Sequence, residues 1–416
     1  MNRRSCGCCG DMGLCGTYRV VWVLPVALLL SGTAVAGSVD WSGYVSLEPR
    51  IFFEAPLFPE QNDNRLSPSA VLAPEFRIEW QQGAQRLTIS PYLRYDADDS
   101  NRTHADFREF LWQYLNGSWS VQAGLGKVFW GVTESRHLVD IINQVDQVED
   151  YDEEDRLGQP MIAVERWTNF GVFTAFLLPG FRERTFPAAD ARLRGPLPVD
   201  TDRAEYQSGA KQSRLDLAFR WSNVIGDWDL GVSGFHGTSR EPRFLLRGDM
   251  SGDGLVLIPR YDVIDQIGVD LQYTKGAWLW KLEAIGRQGS GKTFGASVAG
   301  FEYTFYALGD SGTDLGVLLE YLYDGRDETA PPTIYNDGWF AGFRLGLNDF
   351  EDTAILAGAI VEDNGTFAIV EAERRLGEAW KFEAELRWLI NVDPQDLYLG
   401  GFRNDSFITL RVARYL

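Results

Sequence analysis

The chain has 416 residues, 45% of them hydrophobic, and a formal charge of -20. So acidic a balance speaks against a nucleic-acid partner, which needs a basic face. Cys6, Cys8, Cys9 and Cys15 are the only cysteines and all precede residue 20, so the rest of the chain has neither a disulfide nor a thiolate for catalysis or metal binding.

Arg3, Arg4 and Arg19 precede the apolar run Val20 to Leu30, and Ala34 to Ala36 close it with small residues. This is the pattern of a cleaved secretory leader over residues 1–36, and the apolar run is shorter than the roughly 20 residues of a membrane span. Removing the leader, with Asp11 and its three arginines, takes the charge to -22.

Beyond Gly37 the chain is a succession of short alternating stretches. Trp41, Val45, Leu47, Ile51 and Phe53 oppose Asp40, Ser42, Ser46, Glu48 and Arg50; Phe76, Ile78 and Trp80 oppose Glu75, Arg77 and Glu79. Leu87, Ile89 and Leu93 oppose Arg86, Thr88, Ser90 and Arg94. The division recurs at 214–222, 260–273, 278–287 and 339–348, and most cleanly at 379–389, where Trp380, Phe382, Ala384, Leu386 and Trp388 alternate with Lys381, Glu383, Glu385 and Arg387. A period of two sends successive side chains to opposite faces of a strand. Phe170 to Pro179 and Thr353 to Val361 read apolar on both faces.

Tight turns rich in Gly, Asn and Asp fall near Gln81, Asn116, Thr168, Asn223, Thr274, Leu308, Asn348 and Leu376, and mostly longer connections lie between them. Trp41, Trp80, Trp119, Trp167, Trp221, Trp228, Trp278 and Trp380 gather near the first strand's start and the short turns. A membrane interface accounts for that placement, because an indole buries its ring while its N–H stays wet. The pattern predicts an all-β fold over residues 37–416: a transmembrane antiparallel up-and-down β-barrel of about 18 strands, or 16 if two weak strands are misassigned, with both termini on the short-turn side and long extracellular loops. The final strand, Phe407 to Leu416, ends on Leu416 where a barrel's terminal residue is usually aromatic.

With the apolar parity facing lipid, the ionised parity lines the lumen. Arg50, Arg77, Arg86, Arg94, Arg214, Arg220, Arg344, Glu371, Glu373, Arg375, Lys381, Glu383, Glu385 and Arg387 are the pore-lining candidates, joined by Arg182 and Arg184 from the proline-rich loop Pro179 to Pro198. They form either a lattice of salt bridges that stiffens the wall or a transverse field that selects among charged solutes. Arginine far outnumbers the six lysines, and guanidinium forks suit anionic substrates. The loop Trp130 to Pro160 begins like a short helix and turns acidic from Asp146 to Asp155. Such a run is ordinarily a solvated loop; the alternatives are a lumen constriction and a divalent-cation site near lipopolysaccharide.

The chain holds three histidines, His104, His137 and His236, none in a catalytic frame. Asp249 to Gly254 resembles a calcium loop, but Arg260 stands where a bidentate Glu belongs. No metal, cofactor or enzymatic activity is expected.

The strand end Gly124 to Gly131, followed by His137 to Asp146, resembles the proteobacterial outer-membrane porin-like proteins that carry a Trp-Gly, Asp, Asn, Asp signature. In architecture alone, the strand count and arginine-rich lumen also resemble the alginate-export and basic-substrate porin groups. The resemblance implies a passive channel and supplies no substrate. The expectation is a Gram-negative outer-membrane porin for small polar or charged solutes, in contact with outer-membrane lipid and lipopolysaccharide and inserted by the barrel-assembly machinery. A scaffold barrel with a loop-closed lumen and an outer-membrane hydrolase are the alternatives, and oligomeric state is open.

Overall fold

The computed structural model describes residues 37–250, 254–309, 312–396 and 398–416. The leader expected over 1–36 lies outside the described residues, as do parts of the turns at 249–254 and 308–314.

Eighteen strands form the barrel wall: β1 (Ser38–Leu47), β2 (Ser69–Trp80), β3 (Gln85–Asp96), β4 (His104–Asn116), β5 (Trp119–Gly126), β6 (Gln159–Thr168), β7 (Gly171–Pro179), β8 (Leu215–Ile225), β9 (Trp228–Thr238), β10 (Val263–Lys275), β11 (Trp278–Gly289), β12 (Gly291–Leu308), β13 (Thr313–Asp324), β14 (Gly338–Gly346), β15 (Ala354–Glu362), β16 (Gly365–Leu376), β17 (Trp380–Ile390) and β18 (Phe407–Tyr415). Each pairs antiparallel with its chain neighbours, and β1 pairs both with β2 and, from Tyr44 to Leu47, with β18, which closes the sheet. Closure leaves no unpaired edge, the condition for spanning a bilayer with strands.

The alternation read from the sequence sets the two faces. Trp41, Leu93, Phe173, Phe219, Val232, Ile267, Trp280, Phe343, Trp380 and Trp388 are exposed on the outside, whereas Arg94, Asp216, Asp270, Glu283, Glu320 and Arg387 are buried within. An outward apolar band around a polar interior is the surface of a transmembrane barrel. Trp119, Trp167, Trp228 and Trp278 are exposed near the short turns, and Tyr95, Tyr323 and Trp339 near the opposite rim, so aromatics mark both ends of the band.

Short hairpins close one rim at all eight expected places. On the other rim, two connections are just as tight, Ser290 and Asp363–Asn364, residues 97–103 match the length of the 347–353 turn, and the rest are longer. The strand Arg50–Phe52 continues the wall beyond β1, pairing with β18 and with Leu66–Ser67. A separate sheet joins Arg243–Gly248, Leu255–Tyr261 and Glu205–Tyr206.

One irregularity matters inside. Ser90 faces Glu109 while Pro91 faces Phe107, so Arg108 is an extra residue in β4. Such a bulge re-aims side chains, and here it turns Arg108 inward toward the loop described next.

Candidate functional site

The connection from β5 to β6 folds into the barrel. Residues 138–152 are buried throughout, which overturns the solvated-loop reading, and the segment forms turns with no helix at its start. Two carboxylates on the wall clamp its entry. Glu283 of β11 accepts from the amides of Val132 (2.7 Å), Thr133 (3.1 Å) and Val139 (3.1 Å) and from the Thr133 hydroxyl (2.7 Å). Glu320 of β13 accepts from the Glu134 and Ser135 amides, both at 2.8 Å, and from the Ser135 hydroxyl at 2.6 Å. Arg136 then pairs with Asp324 at 2.8 Å and lies over the Tyr335 ring.

Past this anchor, Leu138, Val139, Ile141 and Ile142 join the same buried cluster as Phe176, Leu178, Ala218, Phe235, Ile264 and Ile285 of the wall. The acidic half reaches the far side: Asp146 takes Arg108 at 2.5 Å, Glu149 takes Arg94 at 2.7 Å, and Asp152 takes Arg387 of β17 at 2.8 Å. Anchors on β3, β4, β11, β13 and β17 mean that the loop crosses the lumen from wall to wall. Asn143 ties its neck, accepting from the Val128 amide and donating to the carbonyls of Gly126 and Leu157 at 2.8 to 2.9 Å.

The loop's charges are set by this enclosure. Burial opposes ionisation of Glu149, but Arg94, Arg102 and Arg108 outweigh it and hold the carboxyl below the usual range. Asp150 is less well matched: burial, with Asp152 beside it, pushes it up to about 7 even though Arg387 is near. Asp405 is pushed up to about 6 by burial despite its contact with Arg192.

The pore-lining candidates divide by location. Arg50, Arg94, Arg184 and Arg387 are buried against the loop; Arg50 donates to the Glu149 carbonyl, and Arg184 to Glu153 and Gln147. Arg182 pairs with Asp106, and Glu371 with Arg387. Toward the short-turn rim, Arg77, Arg344, Glu373 and Arg375 keep about half their side-chain surface in water. Nearby, Arg86 pairs with Glu79, Arg220 grips Asp270 through two 2.7 Å bonds, and Lys381 bridges Glu373 and Glu383. Glu385 faces Glu371 across β16 and β17 and has no ion pair among the described residues. Arg214 joins the two faces. It sits at the start of β8, where its guanidinium bridges Asp216 to His236, a residue on the outward parity of β9.

Other residues went unread in the sequence. Arg102, Arg108 and Arg240 carry no alternation signal of their own, since two lie in loops and one on a bulge. The pair His236 Nδ1 to Asp265 Oδ1, 2.6 Å apart, joins residues 29 apart in sequence. Arg214 occupies the other ring nitrogen at 2.8 Å, so the imidazole has no free nitrogen to activate a nucleophile. His104, Asp146 and Glu149 also converge, but Arg94 and Arg108 already take the two carboxylates, so the cluster works as an ion-pair network.

No family model matches the chain, and no curated protein does. Among solved structures, a BenF-like porin from Pseudomonas fluorescens Pf-5 is similar with a TM-score of 0.53 and 9% identity, over 92% of this chain and 98% of that one. Engineered variants of the Rhodopseudomonas blastica porin give a TM-score of 0.42 and 11% identity over 91% of this chain and 100% of theirs. The chain therefore shares with the BenF-like porin a barrel fold, at an identity that carries over no residue roles.

Proposed function

We propose that the protein is an outer-membrane channel through which small polar or charged solutes diffuse, its lumen narrowed by the loop between β5 and β6. One observation carries the reading: an apolar band surrounds an interior whose charges remain half in water at the short-turn end, at Arg77, Arg344, Glu373 and Arg375. A sealed protein core does not leave such groups wet, because unpaired buried charge is costly. Outward residues would meet outer-membrane lipid and lipopolysaccharide, and transport needs neither a cofactor nor an energy source.

The density of the loop's packing favours a second reading, a scaffold barrel closed by that loop. Single-channel recording in planar bilayers separates the two. Discrete conductance steps from the intact chain support the channel, and silence that gives way to steps only after the loop is shortened supports the scaffold. Under a salt gradient, Arg344→Gln should move the reversal potential toward cation preference.

A further inference from the structure

Arg156 differs from every other arginine around it. It lies on the return of the lumen loop, where it forms an antiparallel bridge with Val145. Two backbone bonds flank it, Asp146 N–H to the Asp155 carbonyl and Leu157 N–H to the Gln144 carbonyl, both 2.8 Å. Its main chain is thus fixed, and Arg156 lines a lumen cavity of about 50 Å³ that is partly open to solvent.

Four further guanidiniums border that cavity, and each is engaged: Arg136 by Asp324, Arg184 by Glu153, Arg240 by Asp216 and Arg287 by Glu241. Arg156 donates no hydrogen bond to any described residue. Its one charge contact runs from Nε to Oδ2 of Asp140 at 3.3 Å, and that oxygen is buried without accepting a hydrogen bond. The Asp140 side chain is 1% exposed, and its other oxygen takes only the Trp130 amide, at 3.4 Å. A buried carboxylate oxygen without a partner is uncommon in native proteins, and a guanidinium has five N–H groups to place. Arg156 and Asp140 both border the same cavity.

We propose that Arg156 and Asp140 form a solute subsite for small carboxylates that carry a hydrogen-bond donor, a hydroxyl or an ammonium, on the neighbouring carbon. The guanidinium fork holds the carboxylate through parallel N–H bonds, and the adjacent donor satisfies Oδ2 of Asp140. A carboxylate lacking that donor leaves Oδ2 of Asp140 without a hydrogen bond, so the site discriminates by what it leaves unsatisfied. A role in transport rests on the channel reading above; binding itself does not.

The test uses the intact protein purified in detergent, with lactate, glycine and acetate titrated by calorimetry, and the same preparation recorded in planar bilayers. Lactate and glycine should bind at least about tenfold more tightly than acetate, which corresponds to 1.4 kcal/mol. Arg156→Gln should abolish binding of all three. Asp140→Asn, which keeps an acceptor for Trp130, should erase the advantage of lactate and glycine and leave acetate unchanged. Arg156→Lys, which keeps the charge and loses the fork, should bind all three weakly, and heat-dependent electrophoretic mobility verifies that each variant forms the barrel. Equal affinity for the three solutes, absence of binding, or binding indifferent to both substitutions overturns the subsite. Selective binding by a protein that never conducts keeps the subsite and sinks the channel; conductance steps without selective binding do the reverse.

Discussion

Thr133 gives both its amide and its hydroxyl to the carboxylate of Glu283, a residue 150 positions further along the chain. Neither group forms part of a strand ladder. The contact holds the head of the loop against the inner wall, beside the bonds to Glu320.

Replacing Glu320 tests that anchorage. Glu320→Ala removes the acceptor of three hydrogen bonds, each worth about 1.5–3 kcal/mol when made to a charged group. The barrel ladder is untouched, so the strands should persist while the loop comes free. Limited proteolysis should then cut between Val132 and Gly158, and conductance should rise. A loop as resistant as in the unaltered chain would contradict the clamp.

Arg387 is shared by Asp152, Asp150 and Glu371 at 2.8, 3.7 and 2.9 Å. Removing one partner of a buried ion pair costs about 3–5 kcal/mol, because the other charges stay behind uncompensated. Arg387→Ala should therefore destabilise strongly in denaturant unfolding. Adding Asp152→Ala to it should recover part of the loss, a coupling that a double-mutant cycle reads directly.

The pH response follows from Asp150. Its carboxyl is raised to about 7 in the folded loop by burial and by Asp152, so the folded state holds a proton that the unfolded chain releases. For a raised acid, the stabilisation is fully present below the ordinary carboxylate range and is lost as pH climbs through the folded value. Between the ordinary carboxylate range near pH 4 and the folded value near 7 the loop should loosen as pH is raised, and conductance should increase over that window. Asp150→Asn should reduce that rise and leave the part due to Asp155 and Glu154, which burial pushes up to about 7 and about 8. An increase toward acid pH would contradict the assignment.

Polarity of the faces gives a fourth expectation. Val232 is 42% exposed on the outward parity of β9. Val232→Arg places a charge against lipid and should cost about 2–4 kcal/mol in vesicle-based unfolding. Arg344→Leu, inside the wet end of the lumen, should cost far less. Equal penalties would mean that the two faces are misassigned.

The eighteen strands, the short-turn rim and the lipid-facing parity were legible in the sequence, because a two-residue period is local and each strand repeats it. Two strands that broke the period held the signal for the loop. Phe176 and Leu178 of β7 and Ile360 of β15 point inward and are buried, so a wall apolar on both faces marks where something greasy packs inside. Read alone, that pattern is only a weak strand.

Local alternation therefore determined the barrel and which side chains turn inward, since each follows from neighbours one or two residues apart. Which inward charges stay wet and which are consumed was settled by the tertiary structure. Arg94 and Arg77 have the same chemistry and the same parity rule, yet one is buried on Glu149 and the other stands in water. The difference comes from a segment remote in sequence that crosses the lumen at one height and not at the other, and no period within a strand records where a distant loop will land.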